Sequence, residues 1–232
     1  MVVAVHQPNF IPWLGYFDKI AQADIFVLLD TVQYPRSKSV ANRNIIKTKS
    51  GALELVVPIA HPKGSQRLST YQEVEFADLS WKKKALNTLT HAYGRAPYFE
   101  EVLALLQRCF EQPTFVSMNT MFIQEVVKAL GLSTKLVNLS DLPTVSGANN
   151  AKIIAICEAF SATCYLSGKG ALAYNDECMY YAHGIKLAYQ SYVPLEYPQL
   201  HGDFIPNLSV VDVLFNLGFE ATSQLLTKTN CR

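Results

Sequence analysis

The chain carries almost no net charge. Its 232 residues hold 20 Lys and Arg against 19 Asp and Glu, a formal +1 at pH 7, so no field steers it toward nucleic acid or an anionic membrane. Only Lys82-Lys83-Lys84 interrupts a scattered basic pattern. Long hydrophobic runs are missing too: no window approaches the ~18 to 20 apolar residues that span a bilayer. Nor does the amino terminus show a basic segment leading into an apolar stretch and a cleavage site. These absences predict a cytoplasmic protein with no membrane insertion and no nucleic-acid partner. The five cysteines, Cys109, Cys157, Cys164, Cys178 and Cys231, are odd in number, lie mostly in apolar segments and show no paired metal-ligand spacing; free thiols are expected. His61, His91 and His201 lack a mutual spacing that suggests ligation, so no metal site is predicted. There is no internal repeat, no low-complexity tract, and no Ser-His-Asp or reactive-cysteine arrangement.

Half the residues are hydrophobic, enough for a substantial core in one domain over residues 1–232. The apolar run Val2-Val3-Ala4-Val5 reads as a strand, and His6 to Pro12, with two prolines, reads as a loop. Leu14, Phe17, Ile20 and Ala21 then recur at helical spacing, and Ile25 to Leu29 forms a second strand ending in Asp30. The unit is β-α-β. Thr31 to Gly51 reads as a long polar connection, of the kind usually functional, and Leu53 to Ile59 as a third strand. From about Ser80 to Gly131 the spacing turns helical, predicting a helical layer or insert over 80–131 with helices at Trp81 to Tyr93, Pro97 to Phe110 and Val116 to Leu130. Alternation returns with strands at Lys135 to Leu139, Thr163 to Ser167 and Ile185 to Tyr192. Helices fall at Asn150 to Phe160 and Asp176 to His183, and a short one closes the pattern at Val210 to Gly218. Such alternation predicts an α/β fold with a mostly parallel, Rossmann-like sheet.

In open parallel sheets the ligand crevice lies at the carboxyl ends of the strands. His6, Gln7, Asn9 and Asp30 fall on that rim. His6 suits general acid-base work because the ordinary imidazole pKa lies near neutrality, or it is a buried imidazole satisfied by neighbouring backbone. Asp30 is the second proton-handling candidate, or a turn cap. Trp13, Tyr16 and Phe17 pack on the sheet or line a sugar or base pocket, and Trp13 is taken as a pocket residue. The polar stretch Gln33 to Lys47 holds Arg36, Lys38, Asn42, Arg43 and Asn44. Such a loop is either solvated surface or a ligand contact, and a guanidinium between two amides suits a phosphate or carboxylate. Ser167-Gly168-Lys169-Gly170 follows a short strand and is a flexible turn or an anion loop, without a full Walker pattern. Asp141, Tyr174, His183 and Gln199 read as structural.

Several segments together resemble the WbqC-like family. They are His6 through Ile20, Phe26 to Asp30, Val32-Gln33-Tyr34, Asn42-Arg43-Asn44, Val57-Pro58, Tyr165-Leu166-Ser167-Gly168 and Ser209 to Gly218. The resemblance covers nearly the whole chain and implies a bacterial protein encoded among surface-polysaccharide or other biosynthetic genes. A weaker similarity links the first β-α-β unit to the HIGH-superfamily nucleotidyltransferases and pantothenate synthetases. Their His-x-Gly-His turn aligns with Trp13-Leu14-Gly15-Tyr16, and Ala23-Asp24 precedes the second strand as theirs does. The glycine is kept and both histidines are aromatic. Tyr165 to Lys169 is similar in place to that superfamily's phosphate loop.

Taken together, these features predict a nucleotidyltransferase-like α/β protein acting as a small-molecule transferase in bacterial surface-glycan (O-antigen type) or specialised-metabolite biosynthesis. Its substrate is a phosphorylated or nucleotide-activated compound; a nucleotide or nucleotide sugar enters as substrate and no cofactor is specified. Arg43, Ser167 and Lys169 are assigned to the anionic part, Gln7, Asn42 and Asn44 to the acceptor, and His6 or Asp30 to the proton. Asn9, Trp13, Gln33 and Gly168 complete the substrate-binding set. An amide-forming or acyl-transfer enzyme, or a non-catalytic binding or scaffold protein, is the alternative. The oligomeric state is left open, a homo-oligomer included.

Overall fold

A computed structural model describes residues 1–35, 40–60, 69–142 and 145–226; Arg36, Lys38, His61 and Cys231 lie outside them. The first strand, β1 (Val2–His6), is followed by α1 (Leu14–Ala21) and β2 (Ile25–Leu28). A long excursion then holds β3 (Arg43–Thr48), β4 (Gly51–Val56), β5 (Ile59–Ala60) and β6 (Glu75–Phe76). It continues through α2 (Ser80–Tyr93), α3 (Phe99–Phe110) and α4 (Phe115–Ala129). The chain returns through β7 (Lys135–Asn138), α5 (Asn149–Ala159), β8 (Cys164–Ser167), α6 (Glu177–Ala182), β9 (Lys186–Tyr189) and α7 (Val210–Gln224).

Five strands form one all-parallel sheet in the order β7-β2-β1-β8-β9. With seven helices among the described residues, the architecture is α/β and Rossmann-like. Period-two alternation sends the strand side chains to two cores. Val3, Val5, Ile25, Val27 and Tyr165 pack with Ile154, Ile156 and Cys157 of α5 and Tyr180 of α6. Ala4, Phe26, Leu28 and Leu166 face α1, the helical layer and α7. Both faces being covered, β2 and β8 are buried at every residue, as central parallel strands are. No helix among the described residues is long and apolar enough to cross a membrane.

Three expectations change. The Thr31 to Gly51 stretch is not all loop, because it contains β3. Leu53 to Ile59 adds no strand to the main sheet: its first part is β4, which pairs antiparallel with β3 from Arg43↔Val56 to Thr48↔Gly51. The physical reason is that polar residues of β3 are satisfied by tertiary partners. Lys47 is 2% exposed, and its Nζ donates to the carbonyls of Gly202 at 2.8 Å and Asp203 at 2.5 Å. The last helix also runs past Gly218 to Gln224, with a break at that glycine, whose φ is 73°. A Cβ there would stand 2.6 Å from the Tyr98 ring, so glycine lets the chain turn past an aromatic and resume.

Candidate functional site

Strand order reverses between β1 and β8, so their connections diverge and leave a crevice at their carboxyl ends. A cavity of about 240 Å³ occupies it. His6 at the end of β1 and Gln190 just past β9 contribute from the sheet. Trp13, Gly15, Tyr16 and Lys19 contribute from the start and inner face of α1. Gly168, Lys169 and Gly170, after β8, form the lip, and Tyr192 closes the wall.

The loop between β1 and α1 is held from three sides. Its Gln7 carbonyl accepts from the Tyr16 hydroxyl at 3.0 Å, and its Pro8 carbonyl from Asn119 Nδ2 of α4 at 2.9 Å. The Ile11 carbonyl accepts from Asn44 Nδ2 of β3 at 2.8 Å and Ser209 Oγ at 2.6 Å. Ile11 has φ +32°, costly for a β-branched residue and kept only where surroundings over-determine it. Those two side chains supply that constraint. Next to the loop, the Trp13 ring lies over Gly15, where a Cβ would stand 2.4 Å from the indole. The ring meets Tyr192 edge-on with centroids 5.2 Å apart. Gly15 therefore allows the aromatic wall to form.

His6 Nδ1 lies 3.2 Å from the Gln7 carbonyl; an acceptor there requires that nitrogen to carry the hydrogen, leaving Nε2 as an acceptor. Burial, then the charge of Lys19, push the His6 pKa down to about 3. At pH 7 the ring is neutral and too weak a base to store a proton, but it can accept a hydrogen bond. Lys19 is 4% exposed, its Nζ donates to the Val5 carbonyl at 2.9 Å, and burial pushes its pKa down to about 7. Burial raises the Tyr16 hydroxyl well above its ordinary pKa, so it remains a donor. Gln190 Nε2 donates to the Gly15 carbonyl at 2.7 Å and to Asp18 Oδ2 at 2.6 Å. Gln22 Nε2 donates to the same Asp18 oxygen. That carboxylate therefore sits behind the wall.

Of the residues expected at the site, His6, Trp13, Gly168 and Lys169 line this cavity. The others have different surroundings. Asp30 Oδ1 accepts from the Ser140 backbone N–H at 3.0 Å, and its Oδ2 accepts from the Ser140 hydroxyl and from Gln72 Nε2. It thus caps the turn after β7. Arg43 lies on β3, paired with Glu54 across the hairpin at 2.9 Å, and its buried Nε has no partner among the described residues. Asn42 Nδ2 donates to the Val57 carbonyl, so both asparagines flanking Arg43 bond backbone. Ser167 is fully buried, with its Oγ accepting from Asn175 Nδ2 at 2.9 Å. Asn9 is buried, Gln7 is half-buried, and Gln33 is exposed and bridges to Thr70. Among the described residues no group of three or more His, Cys, Asp or Glu is placed to hold a metal ion.

The sequence pattern does not single out Lys19, Gln190 or Tyr192, and it names Tyr16 only as a sheet-packing or pocket aromatic. Tyr16 and Lys19 are three apart, on one face of α1, next to a strand end. Gln190 stands where the strand-end rule points when applied to β9 as well as β1. Both signals were present.

Comparison with known proteins agrees with the segments quoted above. Residues 7–224 match the WbqC-like protein family, and the chain belongs to it. It is 34% identical over 227 residues to an uncharacterized protein of Mycobacterium tuberculosis, covering 96% of each chain. No solved structure matches.

Proposed function

We propose that this member of the WbqC-like family is a cytoplasmic small-molecule transferase of bacterial surface-glycan or specialised-metabolite assembly, acting on a phosphorylated or nucleotide-activated substrate. The observation that carries the reading is the cavity at the β1/β8 reversal, where an aromatic wall faces a glycine-lysine-glycine lip. The Trp13 and Tyr192 rings suit the apolar face of a sugar or base. The Gly168 to Gly170 lip can approach a phosphate closely because two of its three residues lack side chains, and Lys169 adds charge. His6 Nε2 accepts a hydrogen bond from the acceptor group and sets its orientation. At about 240 Å³, the cavity falls below the roughly 300–1,000 Å³ of drug-sized ligand pockets. It therefore takes the reacting end of a substrate whose remainder lies across the lip.

Thermal-shift screening with nucleotides, nucleotide sugars, acyl-CoAs and amino acids tests the reading. A ligand at 100 times its dissociation constant stabilises by roughly 2.7 kcal/mol, a rise of about 5 to 11 °C for a chain of this size. Stabilisation by a sugar phosphate or nucleotide sugar, reduced in Lys169→Ala, is the expected result. Response to acyl-CoAs or amino acids alone would replace it with the amide-forming alternative. No response at all would favour a scaffold.

A further inference from the structure

Among the described residues, the cavity lining holds two lysines, Lys19 from α1 and Lys169 from the lip, and no carboxylate. The nearby Asp18 is turned to Gln22 and Gln190. Lys19 Nζ has one acceptor among the described residues, the Val5 carbonyl, so an ammonium there keeps two further N–H donors for an occupant. His6 cannot neutralise it, being an uncharged ring.

We propose that the floor of the cavity binds one compact oxyanion, a phosphoryl or carboxylate group, and that Lys19 takes up a proton as the anion enters. The inference rests on the reading of this cavity as the substrate site. Burial leaves Lys19 titrating at about 7, so above that pH most of the amine is uncharged. A neighbouring anion favours the ammonium. Below pH 7 the proton is already present and nothing is gained; above it, affinity falls by roughly tenfold per pH unit while the bound form stays protonated. The other ionisable groups around Lys19 are His6 from β1, Tyr16 and Asp18 from α1, Lys169 from the lip and Tyr192 past β9. His6 stays neutral because its pKa is pushed to about 3. The two tyrosines stay protonated, with Tyr192 pushed up to about 12 by burial.

The test is titration of the protein with sodium sulfate, standing for a phosphoryl group, or sodium acetate, standing for a carboxylate. It is done at pH 6 and 8.5 at ionic strength fixed with chloride, reading melting temperature. Saturable stabilisation by at least one salt is expected, tenfold or more weaker at pH 8.5 and lost at both pH values in Lys19→Met. The salt that binds more tightly identifies the group. Lys19→Arg, whose charge does not titrate in this range, should bind equally at the two pH values. Saturable binding that is independent of pH, or that survives in Lys19→Met, overturns the inference while leaving the cavity reading with Lys169 as its cation. No saturable effect in the unmodified protein at pH 6 overturns the anionic-substrate reading together with the inference.

Discussion

Lys19 and His6 both hold protons less readily in the folded chain than as free side chains, and the signs can be followed into stability. The unfolded chain keeps a proton on Lys19 up to about 10.5, whereas the folded amine releases it at about 7. Between those values the unfolded state binds more protons, so folding stability rises with pH, by up to about 1.4 kcal/mol per unit. Lys19→Met removes that slope. Denaturant unfolding at pH 7, 8 and 9 should show the unmodified protein gaining on the order of 1 kcal/mol per unit relative to Lys19→Met; parallel curves would contradict the buried amine. For His6 the window lies between about 3 and 6.5, and stability contributed by the neutral ring is lost as pH falls through it. Its ring should stay in the Nδ1–H neutral form from pH 5 to 8.5, readable from imidazole nitrogen shifts by NMR. Of the four residues that the strand-end rule puts on the rim, His6, Gln7, Asn9 and Asp30, His6 alone lines the cavity, joined by Trp13 from the aromatic cluster and by Gly168 and Lys169 from the loop after β8. The rule missed Lys19 because α1 is buried at seven of its eight positions, so a polar face could not be told from a core face by spacing alone.

At the scale of elements, the five sheet strands were legible because β-branched and apolar runs such as Val2 to Val5 and Ile25 to Leu28 read as buried strands. The β3–β4 hairpin was not. Arg43, Asn44, Lys47 and Thr48 look like a loop until distant partners appear, namely Glu54, the Ile11 carbonyl and the Gly202 and Asp203 carbonyls. That hairpin matters to the site through Asn44, which holds the Ile11 carbonyl and with it the loop that presents Trp13. The start of α1 depends just as closely on Gly15. In Gly15→Ala the new methyl meets the indole at 2.4 to 2.6 Å, so the Trp13 ring must swing away from Tyr192 and the cavity loses a wall. Ala also favours helix over Gly by up to about 1 kcal/mol, which offsets part of the cost. The expected outcome is a melting temperature within a few degrees of the original, altered tryptophan fluorescence, and loss of the stabilisation given by any ligand found in the screen. Unchanged ligand response would remove Trp13 from the site.

Across the whole molecule, one buried polar network ties the hairpin, the helical layer and α7 together. Asp212 of α7 is fully buried; its Oδ2 accepts from the Tyr93 hydroxyl of α2 at 2.6 Å and its Oδ1 from the Tyr197 hydroxyl at 2.8 Å. The Tyr93 oxygen in turn accepts the Lys47 backbone N–H of β3 at 2.9 Å, and the Tyr93 ring stacks on Phe215 at 4.5 Å. Burial raises the Asp212 carboxyl above its ordinary pKa, opposed by the two tyrosine hydrogen bonds. The folded state therefore binds more protons than the unfolded one from the ordinary carboxylate pKa up to the raised value, and this group's contribution to stability declines as pH rises through that window. Removing the carboxylate is a different matter from titrating it. Asp212→Ala would leave the buried Tyr93 hydroxyl without its acceptor, at about 1 to 3 kcal/mol, the half-buried Tyr197 hydroxyl at less than that, and a small cavity where the carboxylate was. The expected cost is roughly 2 to 5 kcal/mol, a fall in melting temperature of about 4 to 20 °C. Because the network joins elements from three parts of the chain, the loss should appear as one cooperative transition moved to lower denaturant. A separate early transition, with the sheet still folded, would show instead that the helical layer unfolds as its own unit.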